Sequence, residues 1–351
     1  VIYVELNCKF KIKDKTMQNI NFHTCIKIEN KLWFITIDGY LMNYDFKLNE
    51  VKVIVPQNLK DLHFKQIVDD MIYYKDCIYF VEQDASLLYE YNIENNYCFY
   101  YKLPEFAMVN WECFSGIYRI DNYIYFFGKT ANKICCFNTV NKEISVLKSN
   151  KDIVVNNSVK IGQNIYFASE NKVIVYNLPE GKYVKEFEIN IDIKRIFNYQ
   201  NEIYILTKQN DIFLYDNSFK TQSIIYSNDT IQTTVCIVVT ENKIFVFPST
   251  QGTIKSINKK NGDIKEIAKP LDMNFYNIEW AKFYKYCDDG NTFWLANRMS
   301  NYTVCVNKKD ESIQFIKIKC GTASQRIPYL KEKELLYNSD LNLEEFLTLY
   351  I

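Results

Sequence analysis

Short apolar stretches recur along the chain at a regular interval, and each is centred on an aromatic residue with an apolar residue on either side. The centres lie 38 to 49 residues apart. Brief runs of β-branched and aromatic residues between polar segments are typical of β-strands. The seven central aromatics are Trp33, Tyr79, Tyr125, Tyr166, Tyr204, Phe245 and Trp294.

A second signature follows each central aromatic after ten to twelve residues, and it consists of a hydrophobic residue followed by Asn or Asp. An Asn or Asp side chain can accept a hydrogen bond from the backbone just ahead of it and so start a turn. Each aromatic stretch and its partner therefore predict a β-hairpin followed by a second turn. The seven pairs are Tyr44-Asp45, Tyr91-Asn92, Phe137-Asn138, Tyr176-Asn177, Tyr215-Asp216, Ile257-Asn258 and Val306-Asn307.

Each repeat supplies two further apolar runs, one before the aromatic stretch and one after the polar turn. Four strands in roughly 42 residues is the size of a β-propeller blade. We therefore predict an all-β fold, a seven-bladed β-propeller of four-stranded blades that forms a single domain over residues 1–351. The central aromatics are expected to pack between neighbouring blades. The blades are predicted at about 20–56, 64–103, 111–148, 153–190, 191–227, 233–268 and 280–318.

The repeat resembles that of the kelch-like and quinoprotein-like seven-bladed propellers. The likeness lies in the aromatic of the second strand and in the Tyr-Asn or Tyr-Asp pair that closes the third. The chain lacks the double glycine of kelch repeats and the Trp-Asp dipeptide of another propeller class. The resemblance therefore implies the architecture and no enzymatic activity, since no residue set matches a copper or quinone site.

The two ends of the chain depart from the repeat. Residues 1–19 contain an apolar segment that predicts a closing or an extra strand, and residues 319–351 form a C-terminal extension. Within 342–351 the apolar residues are spaced as one face of a helix. Asn342 and Glu345 fit a capping box. We expect a short amphipathic helix that either folds back on the propeller or docks on a partner.

Composition and charge remove several classes of function. The formal net charge is +0, with 42 basic and 42 acidic residues, so no overall field attracts nucleic acid. The chain has 2 histidines and 11 cysteines. Without a CxxC pair the cysteines favour neither a zinc site nor a disulfide framework. We expect no metal, no cofactor, no nucleic-acid partner, no membrane span and a cytoplasmic location.

Two loop segments carry the strongest candidate binding residues. One segment contains Trp111 and Glu112 and precedes the second strand of blade 3. The other contains Tyr276, Glu279 and Trp280 and precedes the second strand of blade 7, so the two tryptophans are expected at equivalent places. Loops of this kind surround the mouth of a propeller channel. Tryptophans there can stack on sugar rings or on peptide aromatics, while the glutamates accept hydrogen bonds. The alternative is that each tryptophan packs beneath its own loop.

Charged residues add weaker candidates around the same mouth. Lys194 and Arg195 begin blade 5, although a solvated pair is the simpler interpretation. Arg298 and Lys129 lie in loops between second and third strands and could add cations at the rim. Asp69 and Asp70 precede the second strand of blade 2. Because adjacent residues of a strand point to opposite faces, these two carboxylates are not expected to act together.

Two functions remain, and they differ in the class of ligand. The first is a non-catalytic propeller that serves as a protein or peptide interaction scaffold through its loop face, with no catalytic residues. The alternative is a carbohydrate-binding or carbohydrate-processing propeller that uses Trp111 and Trp280 at the channel mouth. The sequence leaves the oligomeric state open.

Overall fold

The structure is a computed structural model, and it describes residues 22–318 apart from short internal gaps. Every described element of regular secondary structure is a strand, and there are 28 of them. The predicted N-terminal strand and the predicted helix at 342–351 lie outside the described residues. Those outside are 1–21, 37–38, 59–67, 83–86, 110–111, 131, 149–152, 217, 220–221, 228–233, 250–251, 272, 274–282, 298–299, 301 and 319–351.

The strands follow one another in seven groups of four, one group per blade. In blades 1 to 3 they are β1 (Phe22–Ile28), β2 (Lys31–Thr36), β3 (Leu41–Asp45), β4 (Glu50–Val53), β5 (Val68–Tyr74), β6 (Cys77–Glu82), β7 (Leu87–Asn92), β8 (Tyr97–Lys102), β9 (Phe114–Ile120), β10 (Tyr123–Gly128), β11 (Lys133–Asn138) and β12 (Ile144–Lys148). In blades 4 and 5 they are β13 (Asn157–Ile161), β14 (Asn164–Ser169), β15 (Lys172–Asn177), β16 (Lys182–Glu188), β17 (Ile193–Tyr199), β18 (Glu202–Thr207), β19 (Ile212–Tyr215) and β20 (Gln222–Tyr226). In blades 6 and 7 they are β21 (Thr234–Val239), β22 (Lys243–Pro248), β23 (Ile254–Asn258), β24 (Ile264–Ile267), β25 (Phe283–Asp288), β26 (Thr292–Asn297), β27 (Tyr302–Asn307) and β28 (Ile313–Lys317).

Each group forms its own antiparallel sheet, with the strands in chain order from the channel outwards. The first strands of successive blades contact one another around the ring, and β25 contacts β1 to close it. This arrangement confirms the predicted seven-bladed propeller of four-stranded blades. Among the described residues the structure contains no helix long and apolar enough to cross a bilayer.

The seven central aromatics pack between neighbouring blades, as the repeat predicts. Each belongs to a different hydrophobic cluster, and each cluster joins two consecutive blades. Trp33 packs against Tyr91 of the next blade with ring centroids 5.8 Å apart, and Tyr79 packs against Phe137 at 6.0 Å. Six of the seven are buried, and Tyr125 is half-buried. Sheets that cannot cover both faces alone are thus covered by their neighbours.

The Asn or Asp that closes each third strand forms the predicted turn in all seven blades. Its side-chain oxygen accepts a hydrogen bond from a backbone N–H two or three residues ahead, as in Asp45, Asn92, Asn138, Asn177, Asp216, Asn258 and Asn307. In six blades the residue after it also donates its N–H to a carbonyl of the turn between the first two strands, as Ile93 does to Asp76. These polar turns lie at one end of the propeller, which we call the lower face, and they are fixed by short-range contacts.

Inner strands begin irregularly at the opposite, upper face. A β-bulge or register shift interrupts the start of the inner strand in six blades, in β1, β5, β9, β17, β21 and β25. A bulge adds a residue to one strand and re-aims the side chains beside it. We call the end of the propeller where the inner strands begin the upper face, because the loops between second and third strands lie there too.

Candidate functional site: the upper rim of the central channel

A cavity of about 620 Å³ follows the central channel. The inner strands of blades 2 to 7 all contribute to its lining. In a propeller the inner strand carries side chains from every blade to one axis, so residues distant in sequence converge there. Charged side chains from several blades line it, among them Asp70, Glu112, Lys129, Arg195 and Lys285.

Six charged residues form what we call the rim cluster, at the upper end of this cavity. Three are acidic and three are basic, so their formal charges cancel. They come from blades 2, 3, 5 and 7 and from the segment that leads into blade 3. The members are Asp69, Asp70, Glu112, Lys129, Arg195 and Lys285.

Lys285 of blade 7 binds both aspartates of blade 2. Its Nζ lies 3.0 Å from Asp69 Oδ1, 2.9 Å from the Asp69 carbonyl oxygen and 3.8 Å from Asp70 Oδ2. The two side chains therefore reach the same partner, although adjacent residues of a regular strand were expected to point to opposite faces. The register of β5 shifts between Val68 and Asp70, so Asp69 is an extra residue and strict alternation is lost.

Glu112 is the acidic centre of the other half of the rim cluster. It forms an ion pair with Lys129, and its Oε1 lies 3.9 Å from Arg195 Nη2. Two backbone hydrogen bonds with Val109 hold the Glu112 main chain, and Lys129 also donates to the carbonyl of Asn156. The interpretation of Arg195 as a solvated cation was wrong, since its side chain is only 14% exposed.

Burial and neighbouring charges shift the proton affinities of the cluster. Burial raises the pKa of Asp70, and Lys285 opposes the rise only in part. Burial lowers the pKa of Lys129 and of Arg195, against the effect of Glu112. For Lys285 burial also disfavours the ammonium, but Asp69 and Asp70 outweigh it and raise the pKa. The cluster therefore holds its charges by mutual pairing in a partly desolvated site.

Below the rim, side chains of blade 4 tie three inner strands into one wall. The amide of Asn157 accepts from the backbone N–H of Ile196 at 2.9 Å and donates to its carbonyl at 2.8 Å. On the other side, Ser158 donates to the carbonyl of Ser115 and contacts the Tyr118 hydroxyl at 3.0 Å. Backbone groups that would otherwise face the channel are satisfied, so the wall is a pre-formed surface.

The predicted site residues fall into two groups. Glu112 and Arg195 meet in the rim cluster. Lys194 lies beside it but donates to Asn210 Oδ1 at 3.0 Å, and burial, with Arg195 next to it, lowers its pKa. The other five, Trp111, Tyr276, Glu279, Trp280 and Arg298, lie outside the described residues.

Lys285 is the member of the rim cluster that sequence reasoning missed. It stands among aromatic residues at the start of a predicted inner strand. A charged residue in such an apolar stretch is a signal, because it must find a partner when the strand is buried. Within the described residues, no group of three or more His, Cys, Asp or Glu side chains is arranged to hold a metal ion.

Comparisons with known proteins identify the fold and no family. No protein-family model matches the chain, and no curated protein matches it. Among solved structures, a catalytically inactive virginiamycin B lyase from Staphylococcus aureus with quinupristin has a TM-score of 0.59 at 15% identity, covering 81% of this chain and 94% of its own.

Two further solved structures are similar to the chain. YCF48 bound to D1 peptide has a TM-score of 0.59 at 8% identity, covering 81% of this chain and 92% of its own. The computationally designed Ika8 protein has a TM-score of 0.51 at 10% identity, covering 86% of this chain and 97% of its own. At such identities the likeness concerns the fold alone.

Proposed function

We propose that this chain is a non-catalytic binding propeller that acts as a protein or peptide interaction scaffold through its upper face. In this proposal a polar segment of the partner enters the channel mouth and is anchored by the rim cluster. The observation that carries the proposal is the channel cavity, whose rim gathers six charged side chains from across the ring. The volume of the channel cavity lies within the range of ligand pockets, roughly 300–1,000 Å³.

The chemistry of the rim favours a ligand with polar or charged groups. Asp70 and Lys285 line one side of the cavity, and Arg195 with Glu112 lines the other. A peptide presents backbone donors, backbone acceptors and charged side chains in one molecule, so it can match a rim of both signs. YCF48, a protein of similar fold, is bound to a peptide. That likeness supports the proposal only at the level of architecture.

Selection of peptides from a random display library tests the proposal. Wild-type protein is expected to enrich peptides, and synthetic copies should bind in calorimetry. Because a hydrogen bond to a charged group contributes about 1.5–3 kcal/mol, Arg195→Ala should weaken binding by at least about tenfold. The matched control is Lys182→Ala, which removes a lysine whose side chain is 65% exposed on the lower face.

Two outcomes would overturn the proposal. One is a library selection that enriches no peptide for a folded wild-type protein. The other is a set of peptides whose affinity is the same for wild type, Arg195→Ala and Asp70→Asn. Thermal unfolding of each variant, measured before binding, separates a lost contact from a lost fold.

The carbohydrate alternative remains a prediction. Its stacking residues, Trp111 and Trp280, lie outside the described residues. A glycan array on wild type, Trp111→Ala and Trp280→Ala decides it. Glycan binding that both substitutions abolish would favour the carbohydrate function over the peptide function, while an empty array removes it.

A further inference from the structure

The seam between blades 7 and 1 closes the ring, and among the described residues it is held by side-chain packing. Each sheet contains four consecutive strands, so no described strand crosses from one end of the chain into the other end's blade. Phe22 and Phe34 of blade 1 share a hydrophobic cluster with Trp294 and Cys305 of blade 7. Lys27 of β1 also lies 5.9 Å from the centre of the Trp294 ring.

Two thiols face each other across this seam. Cys25 lies on β1 and is 2% exposed, and its Sγ lies 3.8 Å from the carbonyl oxygen of Trp294. Trp294 is paired directly with Cys287 across β25 and β26. The Cys287 side chain packs against the same hydrophobic cluster as Cys25 and lies close enough to raise the pKa of the Cys25 thiol. Each thiol therefore belongs to the inner strand at one end of the ring.

We propose that Cys25 and Cys287 are a site of reversible covalent modification, an intramolecular disulfide that joins the first and last blades. The inner strands β1 and β25 approach each other within 8 Å between Cα atoms. A disulfide needs a Cα separation of about 4.4–6.8 Å and a specific torsion, which the experiment below tests for this pair. The proposal is independent of the proposed peptide binding.

The chemistry requires an external two-electron oxidant, for example hydrogen peroxide. Cys287, the more exposed of the two, attacks one peroxide oxygen, the O–O bond breaks, and a sulfenic acid and water form. The Cys25 sulfur then displaces the hydroxyl group as a second water, with its own proton, and the S–S bond forms. Two molecules of a thiol such as glutathione reverse the reaction and leave as their disulfide.

The environment of Cys25 sets the conditions of the reaction. Contact with Cys287 and burial hold the pKa of the Cys25 thiol well above its usual range. Because the thiolate is the nucleophile, disulfide formation should accelerate as the pH rises. In the reducing cytoplasm that the sequence predicts, the resting state is the dithiol. Exposure to peroxide would convert the dithiol to the disulfide.

Oxidation of the folded full-length protein tests the proposal. The protein is treated with hydrogen peroxide at pH 8, its remaining thiols are alkylated, and disulfide-linked peptides are identified by mass spectrometry after proteolysis. A peptide linking Cys25 to Cys287 is expected, with the intact mass lowered by two hydrogens. The apparent unfolding temperature should rise by about 5 °C and return when dithiothreitol is added.

Matched variants isolate the pair. Cys25→Ala and Cys287→Ala should each abolish the redox-dependent shift, whereas Cys305→Ala, which alters another thiol of the same cluster, should keep it. If an alanine variant does not fold, the linked peptide from wild type decides the question by itself. The proposal is overturned if oxidised, folded wild type contains no Cys25–Cys287 link, or if its link joins other cysteines.

Discussion

Replacing Lys285 by methionine should destabilise the propeller by removing the partner of a buried carboxylate. Among the described residues, Lys285 is the only basic side chain that forms an ion pair with Asp69, and the Asp69 side chain is 3% exposed. Asp69 Oδ2 already has no hydrogen-bond partner among them, so the variant would leave both carboxylate oxygens without a donor.

The size of the effect follows from the burial of the pair. Removing one partner of a buried ion pair costs about 3–5 kcal/mol, because the remaining charge is desolvated and unpaired. The Lys285 side chain is 26% exposed, which places the expected loss near the lower end, at about 3 kcal/mol. Urea denaturation at pH 7, followed by tryptophan fluorescence, measures the loss as a lower unfolding midpoint.

A second substitution separates the charge from the packing. The double variant Asp69→Asn with Lys285→Met removes the stranded carboxylate, so it should recover more than half of the lost stability. An ordinary surface substitution changes the free energy of unfolding by no more than about 0.5 kcal/mol. If the free energy of unfolding of Lys285→Met lies within that range of the wild-type value, the ion pair does not stabilise the rim. An equal loss in the double variant would show that the lysine acts through packing alone.

Three further changes probe the charge of the channel, its close packing and the repeated turns. Because burial raises the pKa of Asp70, its stabilising contribution is present at acid pH and is lost as the pH rises through the folded-state pKa. Asp70→Asn should therefore raise the unfolding temperature at pH 7, with a gain that shrinks below pH 4; a gain independent of pH would contradict this. Gly116→Ala places a Cβ 2.3 Å from Ser158 Oγ and should cost about 1–3 kcal/mol in urea denaturation, with partial recovery when Ser158→Ala is added. Asn258→Ala removes a side-chain acceptor of two backbone N–H groups and should lower the free energy of unfolding by about 1 kcal/mol. Asn258→Asp should lower it less, because Asp accepts the same hydrogen bonds in two other blades. Equal losses in the two variants would show that these hydrogen bonds do not stabilise the turn.

The repeat could be predicted because its determinants are local. Trp33 and its counterparts lie in short strands whose pattern is visible within a few residues, and each is followed at nearly constant spacing by its turn residue. Asn138 accepts from Val140 and Asn141, so both partners of the contact stand within one turn of sequence. Because the same local pattern occurs in all seven blades, the sequence indicates the fold seven times.

The rim cluster depends on contacts that no local pattern contains. Lys285 and Asp69 are separated by 216 positions and meet only because blades 7 and 2 face the same axis. The alternation rule failed at Asp69 and Asp70 because the extra residue of a bulge has no signature in this stretch of sequence. Arg195 looked solvated because its charge, taken alone, favours water, and its partner Glu112 belongs to a different blade.

The assembly of every described sheet from consecutive strands has a consequence for how the chain reaches its native state. Every described strand pairing joins neighbours in sequence, so the strands of a blade can pair as soon as their own segment has been synthesised, and the next blade then covers the exposed face of the sheet. Among the described strands, the contacts of β1 with β25 and β26 join the two ends of the ring. The entropy of closing a flexible loop grows slowly, by about 0.6 kcal/mol for each doubling of its length. The final closure is therefore inexpensive, and a nascent chain can add blades one after another without waiting for its last residues.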